Sequence, residues 1–372
     1  MKKVKLGEVA TFINGYAFKP QDWSSEGREI IRIQNLTKTS TEINYYSGTI
    51  DKKYIVEAGD ILISWSGTLG VFQWCGRSAV LNQHIFKVVF DKIDIDKSYF
   101  KYVVEKGLQD AVKHTHGSTM KHLTKKYFDN IIVPYTNLGE QQRIASELDL
   151  LSKLILRRQE QLEELNLLVK SRFNEMFGEN KIFESIDNLF DIIDGDRGKN
   201  YPKSDELFSE EYCLFLNTKN VTKNGFSFDT KQFITKTKDK LLRKGKLERY
   251  DIVLTTRGTV GNVAYYDELI KYKHLRINSG MVILRPKTPN LNQKFIIHVL
   301  RNNNYSRVIS GSAQPQLPIT KLKKILLPLP PLALQNEFAD FVAQVDKSQL
   351  AIQKSLEELE TLKKSLMQEY FG

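Results

Sequence analysis

Two stretches of equal length decide the fold of this chain. Residues 141–178 read QQRIASELDLLSKLILRRQEQLEELNLLVKSRFNEMFG, and residues 335–372 read QNEFADFVAQVDKSQLAIQKSLEELETLKKSLMQEYFG. Both share a Leu-Glu-Glu-Leu run and a final Phe-Gly, and apolar residues recur at heptad spacing, which predicts two long helices joined along an apolar seam. The predicted seam residues are Leu148, Leu151, Ile155, Leu162, Leu165, Val169, Val345, Ile352, Leu356, Leu359 and Leu366.

The match between the helices belongs to a longer internal repeat. Residues 117–178 align with 311–372 at a constant offset and without a gap. Further upstream, DILISWSGTLG (residues 60–70) matches DIVLTTRGTVG (residues 251–261). The chain is therefore two copies of one scaffold, because self-similarity of this extent is the sequence signature of a repeated architecture. Residues 20–59 and 200–250 do not align, which predicts different surface chemistry in each copy.

Each copy begins with short runs of branched apolar residues that predict strands, and residues 98–113 and 293–309 predict a helix beside them. We expect an α+β fold: two β-rich mixed globular domains in tandem, separated by two long helices that form an antiparallel coiled coil with pseudo-twofold symmetry. The predicted boundaries are 1–138 and 179–331 for the domains, and 139–178 and 332–372 for the helices. The alternative is that each helix packs only on its own domain.

The order of the segments determines the direction in which the helices pair. The first helix leaves domain one and enters domain two, and the second leaves domain two, so helices that pair along their lengths run antiparallel. A helix over residues 141–177 spans about 55 Å, and that length equals about 16 base pairs of DNA. A rigid spacer of this length between two unlike domains suits a DNA site with two unlike halves and an unread gap.

Charge and composition narrow the class of protein. The net charge is +11, and both copies carry a basic excess, which favours a polyanion partner, with nucleic acid ahead of an anionic membrane surface. Cys75 and Cys213 are the only cysteines, so we expect no disulfide framework and a reducing cytoplasm. We expect no secretory signal in MKKVKLGEVATF, which lacks an apolar core, and no membrane span.

With these residues in view, the chain resembles the specificity subunits of type I restriction–modification systems. The resemblance rests on the paired starts (residues 6–9 and 189–192), the two Gly-Thr segments (60–70 and 251–261), the Gly-Ser elements and the proline-rich lead into each long helix. It implies that each globular domain is a target recognition domain and that the helices are the spacer. It also implies partners: double-stranded DNA, two modification (methyltransferase) subunits that use S-adenosylmethionine, and restriction subunits that use ATP and magnesium.

Two other classes of function are weighed against this one. A stand-alone DNA methyltransferase would need an Asn/Asp-Pro-Pro-aromatic segment, yet the sole Pro-Pro, at Pro330, follows a leucine, and the chain has no GxxxxGK[ST] phosphate loop. A stand-alone nuclease belongs to the same enzyme class, and a coiled-coil scaffold that binds proteins and no DNA is the second class. His114, His116 and His122 suggest a metal site, but their basic context favours a solvated or DNA-facing loop. We expect no catalytic residue, metal or cofactor on this chain.

Polar residues on loops and at strand ends are the candidates for DNA contact, because Lys and Arg bind phosphates while Asn, Gln, Arg, Ser and Thr also read base edges. We expect the two Gly-Thr turns to expose such residues at strand ends. Arg257 is the sharpest candidate for base reading, since a bidentate contact between arginine and guanine is the commonest specific one. The candidates are Asn14, Tyr16, Lys19, Ser64, Trp65, Ser66, Thr68, Lys113, His114, His116, Ser118, Lys121, Arg197, Lys199, Asn200, Tyr201, Lys203, Thr255, Thr256, Arg257, Thr259, Ser312, Gln314 and Gln316.

Overall fold

The computed structural model of the chain describes residues 1–114, 125–311 and 314–372, apart from the side chains of residues 112–114. It divides into two compact units: unit one comprises Met1–Leu162 with Ala351–Gly372, and unit two comprises Glu163–Leu350. Two helices of 40 residues each belong to both units, α5 (Leu138–Phe177) and α10 (Leu332–Phe371). The sequence predicted four segments, two recognition domains and two spacer helices, which is not the same division as these two compact units. The predicted segment boundaries stay a prediction.

The remaining elements are short, and each unit has its own set. The strands of unit one are β1 (Lys2–Lys5), β2 (Thr11–Asn14), β3 (Arg28–Ile31), β4 (Tyr45–Tyr46), β5 (Ile55–Val56), β6 (Ile61–Ser64), β7 (Gly70–Gln73), β8 (Ala79–Leu81), β9 (Ile85–Val89) and β10 (Ile132–Tyr135), and its helices are α1 (Leu6–Val9), α2 (Ile33–Leu36), α3 (Lys97–His114) and α4 (Lys125–Asp129). The strands of unit two are β11 (Phe183–Ser185), β12 (Phe190–Asp194), β13 (Cys213–Leu216), β14 (Val221–Thr222), β15 (Gly225–Phe226), β16 (Phe233–Ile234), β17 (Ile252–Thr255), β18 (Val263–Tyr265), β19 (Leu275–Ile277), β20 (Met281–Pro286) and β21 (Leu326–Pro328), and its helices are α6 (Ile186–Leu189), α7 (Lys236–Leu241), α8 (Gln293–Asn302) and α9 (Ile319–Leu322).

The main sheet has the same antiparallel order in both units. In unit one the order is β2-β9-β6-β7, and in unit two it is β12-β20-β17-β18. All four residues of β6 and of β17 are buried, as expected for central strands rich in branched apolar residues. The strands predicted around the two Gly-Thr segments are confirmed, together with the α+β composition.

A second sheet includes strands from the segments that do not align in sequence, and it too is shared. Strand β3 pairs in parallel with β8, and β13 pairs in parallel with β19. A further strand flanks the first member of each pair in antiparallel direction, β4 in unit one and β16 in unit two. The segments that do not align in sequence therefore still share a strand framework, as expected for one scaffold used twice. A buried strand needs only a short apolar run, so REII and CLFL occupy the same place without a detectable alignment.

The helix that follows the main sheet differs in length between the units. Helix α3 matches the predicted residues 98–113, but α8 ends at Asn302 instead of residue 309. The chain turns into extended backbone at Asn303, and the hydroxyl of Tyr305 donates a 2.8 Å bond to the carbonyl of Leu300. Three consecutive asparagines are weak helix formers, which explains the early end.

Near the start of each long helix, one buried glutamine bonds the helix to the preceding part of the chain. The side chain of Gln141 accepts from the backbone of Asp96 at 2.9 Å and donates to the carbonyl of Thr136 at 2.7 Å. Gln335, its partner in the repeat, accepts from Asn292 at 3.0 Å and donates to Pro330 at 2.8 Å. Both side chains are almost fully buried, so the two bonds are needed to avoid an unsatisfied amide in the core.

Within unit two the segments of α5 and α10 run antiparallel. Asn166 accepts a 2.9 Å bond from Gln349, and further along α5 the guanidinium of Arg172 lies 2.9 Å from the carboxylate of Glu337, which is earlier in α10. Within unit one, the hydroxyl of Tyr370 in α10 donates a 2.8 Å bond to Glu147 in α5. These contacts agree with the predicted direction, while a coiled coil along the full length of both helices stays a prediction.

The predicted seam residues are all at least partly shielded from solvent. Leu148, Leu151, Val345 and Leu356 are buried, and the other seven are half-buried. Some of them do more than pair the helices, because Leu148 belongs to the core of unit one and Val169 packs on the core of unit two. The alternative, in which each helix packs on a globular core, therefore describes part of the same surface.

Candidate nucleic-acid interface

Three loops meet at one edge of the main sheet in unit two. The Gly-Thr turn after β17 is bonded to the turn between β19 and β20, since the backbone amides of Thr256 and Arg257 donate to the carbonyl of Gly280 at 2.9 and 3.1 Å. A third loop joins them through a 2.8 Å bond from the amide of Leu317 to the carbonyl of Thr256. We call residues 256–261, 278–280 and 310–317 the unit-two platform.

Arg257 is held in place by the third loop of this platform. It forms a β-bridge with Gln316, which in turn pairs with Ser310 across the loop. With the amide oxygen of Gln316 turned towards the arginine, that oxygen accepts from Nε at 3.3 Å and from Nη2 at 3.1 Å. The structure thus brings two predicted site residues together and restricts the orientation of the guanidinium. A restricted guanidinium loses less entropy when it binds a base edge.

A second cation stands beside the same platform. Arg197 forms an ion pair of 3.0 Å with Asp194 and reaches the carbonyl of Ser279 at 3.5 Å. The loop that carries it is ordered by Asp196, which accepts from the backbone amides of Gly198 at 2.8 Å and Arg243 at 2.7 Å. Those amides, that of Gly198 foremost, hold the pKa of Asp196 below its usual range. The platform therefore presents two arginines on a rigid backbone.

The unit-one platform has the same backbone plan and different side chains. The amide of Trp65 donates to the carbonyl of His84 at 3.2 Å, and its indole N–H donates to the side chain of Asn14 at 3.1 Å. Tyr16 lies two residues after Asn14, the last residue of β2, and is 43% exposed. Its ring packs edge-on against that of Tyr54, with 5.6 Å between the ring centroids. We call residues 64–69 and 82–84, with Asn14 and Tyr16, the unit-one platform. It carries the aromatic residues Trp65 and Tyr16, whereas the unit-two platform carries Arg257.

Four of the predicted contact residues point inwards. Ser64, Ser66, Thr255 and Thr256 are buried, so the expectation that these turns expose them at strand ends is wrong. The hydroxyl of Ser64 donates to the carbonyl of Thr68 at 2.6 Å, and the hydroxyls at positions 255 and 256 likewise donate to backbone carbonyls. Carbonyls in a tight turn have no hydrogen-bond partner from a neighbouring strand, and these hydroxyls donate the missing bonds. Thr68 and Thr259 are exposed at the tips of the turns.

The other candidates are dispersed. Lys19 and Lys203 occupy equivalent places before a short 3-10 turn, where their backbone amides donate to Asp22 at 2.7 Å and Glu206 at 2.9 Å. Lys199 is exposed, Asn200 donates to the carbonyl of Leu241 at 3.2 Å, and the ring of Tyr201 packs against Phe215. Gln314 is exposed on the third loop of the unit-two platform. His116, Ser118, Lys121 and Ser312 lie outside the described residues, as do the side chains of Lys113 and His114.

Sequence reasoning missed the turn between the second parallel strand and the last strand of the main sheet. In unit one it carries Asn82, Gln83 and His84, and in unit two it carries Asn278 and Ser279. A polar run directly after a buried apolar strand was the available signal, in LNQHI and INSGM. The signal is weak, because only the fold shows that this turn lies beside the Gly-Thr turn.

The described residues contain neither a metal-binding cluster nor a helix suited to a membrane. No group of three or more His, Cys, Asp or Glu side chains there is placed to hold a metal ion. Nor does any helix of this part of the chain combine the length and the apolar character that crossing a bilayer requires. The predicted metal alternative at His116 and His122 lies outside the described residues.

A repeated α+β framework with unlike polar platforms defines the chain as a tandem protein of two related modules. The model of the family "Type I restriction modification DNA specificity domain" matches residues 1–167 and again 180–362, so the chain belongs to that family. The resemblance inferred from the sequence is confirmed, and the chain is the DNA-specificity component of a restriction–modification system rather than a catalytic one. Neither the stand-alone enzyme nor the scaffold is favoured.

Individual relatives agree with the family. The chain is 22% identical to the EcoBI type I restriction enzyme specificity subunit of Escherichia coli, over 99% of this chain and 85% of that protein. It is 24% identical to the MjaVIII specificity subunit of Methanocaldococcus jannaschii, over 85% of this chain and 79% of the relative. The crystal structure of the type I S subunit from M. genitalium superposes with a TM-score of 0.59 at 16% identity, covering 100% of this chain and 96% of the other. A chain from a study of type I complex assembly and conformational transition gives 0.62 at 16% identity, with 99% and 97% covered.

Proposed function

We propose that each unit reads one half of a bipartite, asymmetric DNA target through its platform. The observation that carries this proposal is the pairing of one backbone plan with two sets of side chains. Ser66 and Arg257 occupy the same place after the central strand, and so do Asn14 and Asp194 at the end of the edge strand. Two platforms with different donors and acceptors select different bases, since base edges are read by hydrogen-bond pattern.

The experiment that tests this proposal is a domain exchange in the assembled complex. Residues 1–140 are replaced by the corresponding part of another family member, the complex is produced with its partner subunits, and methylated adenines are mapped by single-molecule sequencing. We expect one half of the target to change and the other half to stay. The reciprocal exchange of residues 179–331 is the matched control and should change the other half. A methylation pattern that neither exchange alters would contradict the proposal.

We further propose that the long helices set the gap between the two half-sites. Each is one continuous helix of 40 residues, and a helix of that kind resists bending. Removing residues 157–163 and the equivalent 351–357 takes one heptad from each helix, which shortens a helix by about 10 Å and the gap by about 3 base pairs. A control in which seven residues are replaced without a change of length should keep the gap. An unaltered gap in the shortened protein would contradict the proposal that the helices set the spacing of the half-sites.

The helices are also proposed to dock two modification subunits. Exposed leucines occur on them in repeat-equivalent pairs: Leu138 with Leu332, Leu156 with Leu350, and Leu168 with Leu362, and the last two pairs are at least 47% exposed. Exposed apolar residues at equivalent positions are what two copies of one partner would contact. Leu168→Asp combined with Leu362→Asp should therefore abolish co-purification of the modification subunit. Leu154→Asp, at an exposed leucine whose repeat position is Ser348, is the control and should retain it.

The remaining expectations from the sequence form part of the same proposal. S-adenosylmethionine would bind the modification subunits, and ATP with magnesium would bind restriction subunits, with double-stranded DNA as the common ligand. Cys75 is exposed and Cys213 is buried, and neither forms a disulfide. Two free thiols support the proposed cytoplasmic location.

A further inference from the structure

The position directly after the first parallel strand lies next to the platform in both units. In unit two it is Asn217, after β13, and in unit one it is Arg32, after β3. The strand ends are bonded to the platform turns, because the amide of Asn82 donates to the carbonyl of Ile31 at 3.2 Å, and Asn278 makes the equivalent 2.9 Å bond to Leu216. Whatever side chain stands at this position is therefore carried to the rim of the recognition surface.

The local backbone at this position favours a capping residue. The chain turns into a short helical segment there, and in both units the backbone amide donates to an asparagine three residues on, at 3.1 Å to Asn35 and 3.0 Å to Asn220. Asn217 completes the cap, since its side-chain oxygen accepts from the amide of Lys219 at 2.9 Å. Arginine has no acceptor and cannot do this, and the side chain of Arg32 makes no cap bond. Arg32 therefore breaks a local rule that its counterpart obeys.

The guanidinium of Arg32 is also poorly satisfied where it lies. Its Nε and Nη2 are shielded from solvent and have no hydrogen-bond partner among the described residues. The nearest carboxylate, that of Glu42, is 3.9 Å from Nη2, which is an ion-pair distance but too long for a hydrogen bond. The main contact is the face of Trp23, 5.5 Å away and 40% exposed. Buried donors without acceptors destabilise a fold, so this arrangement does not serve stability.

We propose that Arg32 is a specificity-determining residue that reads a guanine in the half-site of unit one; this rests on the proposed reading of DNA by the platforms. A planar fork of N–H donors matches the O6 and N7 acceptors of guanine, and DNA would supply the acceptors that the fold withholds. In the free protein the guanidinium lies over the ring of Trp23, and rotation about the side-chain bonds would bring it to the base, as side chains at interfaces commonly do. Residues that break local rules without a gain in stability concentrate at functional sites.

The test replaces Arg32 by the residue of the other unit, Arg32→Asn, in the complete complex with its partner subunits. Arg28→Asn, at an exposed arginine of β3, the strand that precedes Arg32, is the matched control. We expect one base position in the half-site of unit one to become degenerate, with discrimination falling about 5- to 150-fold and the other half-site unchanged. The thermal midpoint of the variant should stay equal or rise, because an asparagine restores the cap. The control should keep both the motif and the midpoint.

A second variant and a second measurement separate the alternatives. Arg32→Lys keeps the charge but loses the fork, and it should relax the same position. An unchanged motif in both variants, or a lowered midpoint with an unchanged motif, would make Arg32 a structural residue and overturn the proposal. Weaker binding of all sequences with a shallower salt dependence would make it a phosphate contact and overturn it as well. If the exchange of residues 1–140 moves the half-site while the Arg32 variants do not, only this inference fails.

Discussion

One buried position of the second sheet is apolar in unit one and charged in unit two. At the middle of the second parallel strand, unit one has Val80, which is packed with Phe18 and Ile30 and is flanked by β5. Unit two has Arg276 at that place, buried and bonded through Nε to the carboxylate of Asp239 at 2.9 Å. Lys246 donates to the other carboxylate oxygen of Asp239 at 2.7 Å. The backbone of Lys246 forms only an isolated β-bridge with Arg276, at the place where β5 pairs with β8 in unit one. The framework thus prescribes where a side chain is buried but not its polarity.

This comparison shows one way in which the two copies diverge in sequence. An apolar core position tolerates exchange among branched residues, and an ionic one is retained only if each charge has its partner. Once α7 supplies Asp239, the neighbouring strand carries an arginine and the sequence pattern of the strand changes. The two copies then diverge in sequence while they keep one topology.

The largest effect is expected from breaking the buried ion network of unit two. Asp239→Ala leaves the guanidinium of Arg276 without a carboxylate and should lower the stability of unit two by about 3–5 kcal/mol. Burial alone would raise the pKa of Asp239, but its bonds to Lys246 and Arg276 outweigh burial and hold that pKa below its usual range. Hydrogen exchange of β13 and β19 in the full chain measures the loss.

Adding Arg276→Val to that variant brings in the residue of unit one and sharpens the comparison. A buried ion pair replaced by apolar residues is often neutral for stability, so the double variant should recover most of the loss. Asp229→Ala, at an exposed carboxylate, is the control and should have little effect. Equal exchange rates in Asp239→Ala and the unchanged protein would show that the network does not support the unit.

The second effect is a difference in acid sensitivity between the units. The backbone amides of Asp96 and Asn292, which bond to the two buried glutamines, mark equivalent positions in the two units. Six residues after these positions, unit one has Tyr102 and unit two has His298. The histidine ring packs on Phe173 and Phe338, and burial, with a smaller contribution from Arg301, lowers the pKa of His298 from 6.5 to about 4.

Folding therefore disfavours the protonated form of His298. Its contribution to stability is complete above pH 6.5 and is lost as the pH falls towards 4, by about 3 kcal/mol. Hydrogen exchange of α8 between pH 7 and pH 4 should show this loss, and His298→Phe should remove the pH-dependent part. A variant with the same pH dependence as the unchanged protein would exclude His298 as its source.

The third prediction concerns a feature in which the units are alike. Gln141→Ala and Gln335→Ala each leave a backbone amide and a backbone carbonyl, partly or fully buried, without a side-chain partner. Each should cost about 1–3 kcal/mol. Thermal unfolding of the full chain should show a similar loss for both. Gln142→Ala, at the exposed neighbour in α5, is the control. A large loss in one unit only would show that the two anchors are not equivalent.

The smallest change in stability, with the most specific consequence, is expected on the unit-two platform. Arg257→Ser brings in the residue of unit one at that position and should relax one base position in one half-site, at about 1–3 kcal/mol of discrimination. Mapping of methylated adenines measures it. Thr320→Ser, an exposed position outside the platform, should leave the motif intact. A uniform loss on all DNAs would identify Arg257 as a phosphate contact.

Much of the candidate site could be named from the sequence, but its geometry could not. Arg257, Gln316 and Arg197 were selected by residue type, and the structure places the first two on one platform and the third beside it. Ser64 and Thr255 were selected by the same criterion and are buried, because a hydroxyl in a tight turn serves the backbone first. Arg32 was missed, since only the pairing of β3 with β8 shows that it lies beside a platform turn.

The sequence by itself determined the duplication, the two long helices and the family, because these depend on periodicity and on residues spaced at a constant offset along the chain. Tertiary structure alone decided the parallel strand pairs, the two platforms and the equivalence of Arg32 with Asn217. The reason is physical: contacts between segments far apart in the chain require burial and a complementary backbone, and both can be met by side chains that share no pattern.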